Sequence, residues 1–575
     1  MSKLLLIKNW VFKYKHFFIG LLLSLSLLWP LFVSPYFTHH DDVQVIRVFE
    51  MNKCFLDHQL PCRWVPDLGG VYGYPIFNYY APLPYYFGEL IYFLTHSLLI
   101  SAKVMFAFPF IFSYIFMYLL ASKYWGKTGG LISAVFYAYA PYHALDFYVR
   151  GAMGEMWSLM FFPAIFWAID KLRGKITITN LLLLAVLFAG LITSHNLSAM
   201  IFLPLCLVWI GLNYAKERKI KFLYFSLVSL VLSILLSAFY FFPVIFEKNL
   251  VHLETTVEGY FSYTEHFKGF RKLFLERTWG YGASIREVPG GERDGLSYQI
   301  GWVHLLGWFL ALFTARTLWR SNRWVSIVIT FSSLAILISV FMINPRSEFI
   351  WNLVDPLKYL QFPWRFLIIV IFFISFIAGS FTLTFLKGKK YIWLLLLLMM
   401  VVLNFFYFRP EKFIQTSDSE LLSGKNWDKQ IKRSIFDYLP IYAKEPPAEL
   451  ATKRYEILTG DTKIVDFKEG TNWISFNTNT KTHSIIRLSQ YYFPDWKIFI
   501  DGKEAKIEYK NNSLGLMTII LGMGNHKIEA RLYDTPVRSI SNLVSALTAF
   551  LMMFLFLFQL KQVKKWVEYY RKRIN

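Results

Sequence analysis

The sequence predicts a polytopic α-helical membrane protein with a β-sandwich-like domain near its C-terminus and a final transmembrane helix, and three observations carry that prediction. Of 575 residues, 55% are hydrophobic and 19% aromatic, proportions outside the soluble globular range. Apolar stretches of about 17–25 residues recur along the chain, each long enough to cross roughly 30 Å of hydrocarbon as a helix. The 60 Lys and Arg, against 38 Asp and Glu, gather in the short loops between those stretches, as in cytoplasmic loops that orient spans and meet anionic lipid. The net charge of +22 therefore reports topology and not a nucleic-acid partner.

The elements follow in chain order. The N-terminus "MSKLLLIKNWVFKYKH" is basic and precedes an apolar stretch, 17–35, with no small-x-small cleavage site after it, so a retained signal anchor is expected. Basic loops at Lys123–Gly130, Lys171–Lys175, Ala215–Lys221, Arg316–Arg323 and Lys387–Lys390 are placed inside, and neighbouring loops bracket pairs of spans. This predicts spans near 17–35, 103–121, 129–147, 154–170, 178–194, 197–213, 222–245, 300–317, 324–343, 362–385, 391–408 and 540–560, about 12 in all. The segment Tyr85–Ile100 is apolar but contains Glu89 and His96 and follows Pro82 and Pro84. It is expected as a half-inserted or interfacial helix, the alternative being a thirteenth span.

Three units result: 1–408, a transmembrane domain with a first outer loop at 36–102 and a long outer loop at 246–299; 409–537, an extracytoplasmic β-rich domain; and 538–575, a terminal helix with a basic cytoplasmic tail. The middle unit has short alternating runs such as "WISFNTNT" and "WKIFIDGKEAKIEY". Asp501-Gly502 between two runs signals a hairpin, since Gly accepts the positive φ of a tight turn.

The outward side collects the unusual residues. "THHDDVQVIRVFE", Thr38–Glu50, follows the first apolar run directly. Asp41 and Asp42 are either solvated carboxylates or a general base in a partly dry cleft. His39 and His40 beside them suggest a metal, which is not favoured because adjacent residues rarely converge on one ion without partners from elsewhere. Val43, Ile46 and Phe49 are spaced for a helix lying along the membrane surface. In the same loop Cys54 and Cys62 could form a disulfide if the loop is extracytoplasmic, whereas Cys206 sits in an apolar run and packs as a small hydrophobe. The Tyr- and Pro-rich stretch containing Tyr79 and Tyr80 is either an interfacial aromatic belt or a binding floor for a sugar or lipid headgroup.

Asp146, Arg150 and Glu155 stand near outer span ends. Charges at membrane depth are costly unless paired or facing a polar cavity, so a functional cluster competes with a structural Arg150–Glu155 pair. His195 meets the same level from the next hairpin, beside Asn196. In "YLQFPWRFL", Arg365 follows Lys358 at the start of a span. It either snorkels to the interface or holds an anionic leaving group, because its planar fork matches phosphate oxygens. No phosphate-binding Gly-rich loop, nucleophile elbow or Cys-x-x-Cys is present, which removes the common soluble-enzyme chemistries.

The order of "HHDD", "PIFNYYAPLPYYFGEL", "YVRGAMGE", "TSHNLS", "LQFPWRFL" and "YYFPDWKIFIDGK" resembles the bacterial membrane proteins known as 6-pyruvoyl-tetrahydropterin synthase-related, alongside the YfhO-like proteins. These are similar in plan to GT-C type glycosyltransferases, which use lipid-linked sugars; the residues suggest no pterin chemistry. The resemblance implies a GT-C-like membrane domain, a catalytic base in the first outer loop at Asp41 or Asp42, with Asp42 preferred, and a polyprenyl-phosphate sugar as co-substrate. Its phosphate would suit Arg150, Arg365 or Lys358, with His40, Glu155, His195, Tyr79 and Tyr80 in supporting roles. The implied acceptor is an envelope glycan, lipid or protein, and the implied location the bacterial inner membrane with its active site on the extracytoplasmic face. Two rival classes stand beside this one. A transporter or flippase would show mid-span charges and repeated halves, and a non-catalytic envelope-assembly protein would keep its phenotype without the first-loop aspartates.

Overall fold

The computed structural model describes residues 14–287, 294–385, 391–433 and 438–574, with side chains described as far as residue 560 except at 433. The basic segment before Tyr14, the loop Lys387–Lys390 and the side chains of the basic tail lie outside that description.

The chain is mostly helical. Its principal helices are α1 (Lys15–Leu25), α2 (Gln44–Leu56), α3 (Leu83–Thr95), α4 (Leu98–Ala138), α5 (Met153–Gly174), α6 (Ile178–Ser194), α7 (Asn196–Glu217), α8 (Ile220–Leu236) and α9 (Ala238–Phe246). They continue with α10 (Trp302–Leu318), α11 (Arg323–Ile343), α12 (Leu367–Ala378), α13 (Ile392–Asn404), α14 (Gly424–Arg433) and α15 (Pro536–Ile574). Each predicted span falls on helix, but length and composition give a smaller number of crossing helices. Among the described residues five suffice, at Leu98–Ala138, Asn196–Glu217, Arg323–Ile343, Pro363–Leu383 and Pro536–Leu560, and six if α8 and α9, bent by 75°, count as one. Four shorter apolar helices accompany them. The predicted spans 103–121 and 129–147 stand on either side of a break inside α4. Gly126 breaks that helix at φ 70° and ψ 178°, a conformation glycine reaches without a Cβ penalty.

Tyr85–Ile100 does not cross. Its helix, α3, has 13 residues and ends at His96 in the left-handed region, φ 51°, giving roughly 20 Å at 1.5 Å per residue. The expected surface helix exists as α2 but is not amphipathic on the membrane. Val45, Ile46, Arg47, Val48, Glu50 and Met51 are all buried, because α3 and α4 pack against it. Cys54 and Cys62 are disulfide-bonded, with Cα atoms 5.5 Å apart, and Cys206 is free and buried.

The β region is narrower than 409–537. Two antiparallel sheets occupy 455–532, built from β3 (Tyr455–Thr459), β4 (Thr462–Glu469), β5 (Trp473–Thr480), β6 (Ser484–Tyr491), β7 (Trp496–Ile500), β8 (Lys503–Ala505), β9 (Leu516–Leu521) and β10 (Gly524–Leu532). Their orders are β4-β5-β10-β7-β8 and β3-β6-β9. Asp501 and Gly502, at φ 53° and 78°, close the β7–β8 hairpin with Ile500 opposite Lys503. Upstream, Phe413–Ile414 (β2) pairs with Tyr36–Phe37 (β1), next to the first apolar helix.

The sandwich core of Phe476, Ile486, Leu488, Trp496, Ile498 and Ile528 admits residues from far away, Tyr79, Val251 and, fully buried, Trp64 of the first outer loop. Its ring lies 5.5 Å from that of Phe493 and 6.0 Å from that of Trp496. Asp57 accepts hydrogen bonds from Thr471 Oγ1 (2.8 Å) and Trp473 Nε1 (2.9 Å), and the Tyr72 carbonyl accepts from the Tyr491 N–H at 2.8 Å. The sandwich is thus seated on the first outer loop as well as joined at its ends.

Candidate functional site

The "HHDD" segment is held against the loop that ends the next helical hairpin. His40 N donates to Val149 O at 2.9 Å and Asp41 N to Arg150 O at 2.8 Å. Gln44 Nε2 ties the two strands together, donating to Asp41 O (3.0 Å) and Gly151 O (2.9 Å). Glycine is required at 151: φ is +64°, and an added Cβ would stand 2.4 Å from His39 Nδ1. His40 Nε2 pairs with Tyr281 O at 2.8 Å.

Before Gly151 the chain makes a π-helical turn, Leu145–Arg150, a rare form that often marks functional sites. Asp146 pairs with Arg150 there. Arg150 Nη1 also donates to Glu155 Oε2 at 2.9 Å, and Tyr142 OH to Glu155 Oε1 at 2.6 Å. From the far side Arg365 Nε reaches Glu155 Oε2 at 3.3 Å, while its Nη1 donates to Leu360 O (2.6 Å) and Gln361 Oε1 (3.2 Å). The Arg150 guanidinium lies 4.5 Å from the Trp364 ring centre. Both acids are buried, and Asp146 Oδ2 has no hydrogen-bond partner among the described residues. His195 caps α7, its Nδ1 2.6 Å from Ser198 Oγ.

These groups face a cavity of about 1090 Å³. Asp41, His40, Arg150, Glu155, His195 and Arg365 line its polar part together with Tyr79 and Tyr80, and Phe188, Met200, Leu203, Leu230 and Phe241 line an apolar part. Of the residues expected as base or donor-phosphate ligands, two are not among the lining residues. Asp42, the preferred base, is one. Lys358 is the other; it pairs with Asp355 at 2.7 Å on the surface. Among the lining residues that escaped the sequence reading are Arg47, Tyr260 and Gln361. Arg47 had a signal, a guanidinium between the apolar Ile46 and Val48.

Behind the cavity wall, His266 sits between Ser284 Oγ (2.9 Å) and Tyr260 O (2.5 Å). Burial pushes its imidazole down to about 4, so it is neutral at neutral pH. Ser284, which lines the cavity, also accepts from Trp364 Nε1 at 3.1 Å. Among the described residues no three His, Cys, Asp or Glu side chains are grouped to hold a metal ion.

No protein-family model matches the chain. An uncharacterized protein of Lactococcus lactis subsp. cremoris is 23% identical over 244 residues, 41% of this chain and 40% of that protein. The chain thus matches less than half the length of this curated relative. The apolar helices make it a multi-pass membrane protein, and its sequence is distantly similar to that relative.

Proposed function

We propose that the protein is a GT-C type glycosyltransferase that moves a sugar from a polyprenyl-phosphate donor to an envelope acceptor with inversion. The observation that carries this reading is the cavity, where a first-loop aspartate, a buried Arg–Glu–Arg cluster and an apolar flank meet although they lie more than 300 residues apart in sequence. An amphiphilic ligand with a charged head and a hydrocarbon tail fits such a two-sided wall.

In this mechanism Asp41 takes the proton from an acceptor hydroxyl as that oxygen forms a bond to the anomeric carbon. The bond from that carbon to the phosphate oxygen breaks on the opposite face, and the electron pair leaves with the lipid phosphate. Phosphate needs no second carboxylic acid to protonate it, unlike the leaving group in glycoside hydrolysis, and guanidinium groups stabilise the developing charge. Tyr79 and Tyr80 line the polar part of the cavity that a sugar ring would enter. The Cys54–Cys62 disulfide supports an oxidising compartment for the first outer loop, hence an active site on the extracytoplasmic face of the bacterial inner membrane.

The test is purified protein in lipid, offered a panel of polyprenyl-phosphate sugars, with release of free lipid phosphate as the readout. Turnover by the natural chain, its loss in Asp41→Asn and its retention in Asp42→Asn is the expected result. Unchanged turnover in Asp41→Asn would remove that carboxylate as the base.

A further inference from the structure

The cavity wall carries three guanidinium groups whose surroundings differ. Arg150 pairs with Asp146 and Glu155, and Arg365 shares Glu155. Two cations and two carboxylates leave that cluster near neutrality, with Glu155 shared between its two arginines. Arg47 is different. It is 6% exposed, and among the described residues it has no carboxylate within the 4.0 Å of an ion pair. Asp41 acts on it only at longer range.

Its contacts orient the guanidinium without neutralising it. Nη1 donates to Tyr85 OH at 3.0 Å, and that hydroxyl donates onward to Gln44 Oε1 at 2.8 Å. The guanidinium carbon stands 4.0 Å from the centre of the Tyr80 ring, a stacking geometry that holds a planar cation in place. Nε is buried and has no hydrogen-bond partner among the described residues. Arginine does not shed its proton in proteins, and a buried charge without a counter-charge is costly. A side chain so placed on a cavity wall has its balancing charge supplied by what enters the cavity.

We infer that Arg47 is the principal anion-binding side chain of the cavity and holds the phosphate of a lipid-phosphate ligand, with Tyr80 and Tyr85 fixing its orientation. This rests on the transferase reading for the identity of the ligand. It moves the phosphate contact away from Arg150, Arg365 and Lys358 to a residue of α2, three turns or less from the base in the same outer loop.

The experiment uses the full chain in phosphatidylcholine nanodiscs and measures binding of farnesyl phosphate, farnesol and inorganic phosphate by calorimetry. The natural chain is expected to bind farnesyl phosphate at least about tenfold more tightly than farnesol. Arg47→Gln should bring the two within about twofold, Arg47→Lys should weaken farnesyl phosphate by an intermediate factor because a point charge replaces the planar fork, and Lys358→Gln should change nothing. Retention of the full preference in a folded Arg47→Gln variant overturns the inference. Should that variant fail to fold, unaltered affinity in Arg47→Lys does the same. Inorganic phosphate binding as tightly as farnesyl phosphate would overturn the lipid source. Sugar turnover that persists without any Arg47 dependence sinks this inference and leaves the transferase standing. Arg47-dependent binding without turnover from any donor does the reverse.

Discussion

Two sets of buried charges in this chain are built from the same residue types, yet one is packed between protein segments and the other opens onto a void. In the closed set Glu247 accepts from Arg538 Nε (2.8 Å), Asn78 Nδ2 (3.2 Å) and Thr535. Beside it Arg63 donates to Asn78 Oδ1 (2.8 Å), Asn542 Oδ1 (2.7 Å) and Phe239 O (2.8 Å). These residues come from the first outer loop, the turn after α9 and the start of α15, so the cluster is a seam that fastens the final helix and the sandwich to the outer loop. The open set is Asp146, Arg150, Glu155 and Arg365, three of which line the cavity. A buried ion pair is weak evidence of net stability, but breaking one is costly. The seam therefore serves assembly, whereas the cavity cluster presents its groups to a void.

Substitutions can break or sharpen that contrast. Glu247→Ala should have the largest effect on stability, about 3–5 kcal/mol, because it strands a buried Arg538; thermal unfolding in detergent and the yield of folded protein would show it. Replacing both Cys54 and Cys62 with serine frees the loop that carries Arg63 and Trp64 into the seam, and should cost about 2–4 kcal/mol, read as a lower denaturation temperature. Glu155→Gln should be milder, about 1–3 kcal/mol, since Arg150 keeps Asp146 and Arg365 keeps Leu360 O. If Glu155→Gln proved as damaging as Glu247→Ala, the two clusters would not differ in kind. Asp41→Asn, at an exposed position, should leave stability within about 0.5 kcal/mol while lowering sugar turnover by about 10²–10⁴-fold.

The smallest effects are those of pH, and two histidines oppose each other. His266 is held at about 4 by burial, against an ordinary 6.5, so its contribution is complete above 6.5 and declines as pH falls from 6.5 towards 4. His526 is raised by its hydrogen bond to Asp501 (2.7 Å). Its contribution is present below 6.5 and is lost as pH rises through the folded value. Melting temperature against pH should lose part of its acid decline in His266→Gln, and part of its rise towards acid in His526→Gln.

Local signals were read well from the sequence. Asp501-Gly502 closes the hairpin it announced, because a tight turn needs positive φ and that demand is written in two adjacent residues. Helices stand at the predicted spans, and prolines with a polar interruption marked the segment that became the short α3. Distant partners were not legible. Nothing in "RWVPDLGG" says that Trp64 enters the core of a sandwich more than 400 residues away, and Asp41 and Asp42 look alike until the bonds to Val149 and Arg150 place one of them on the cavity wall. Lys358 and Arg365 share one motif, yet a surface carboxylate takes the first and a buried one the second.

Composition, apolar run length and basic loops determined a multi-pass membrane protein with a C-terminal β region, because the cost of burying charge or leaving backbone unpaired in lipid acts on each segment by itself. The tertiary structure alone decided which charges are sealed in a seam and which face a cavity, and that Arg47 stands there without a paired carboxylate among the described residues. Those outcomes depend on packing between segments hundreds of residues apart, where a small rotation of a helix or one glycine turn exchanges a neighbour for a void.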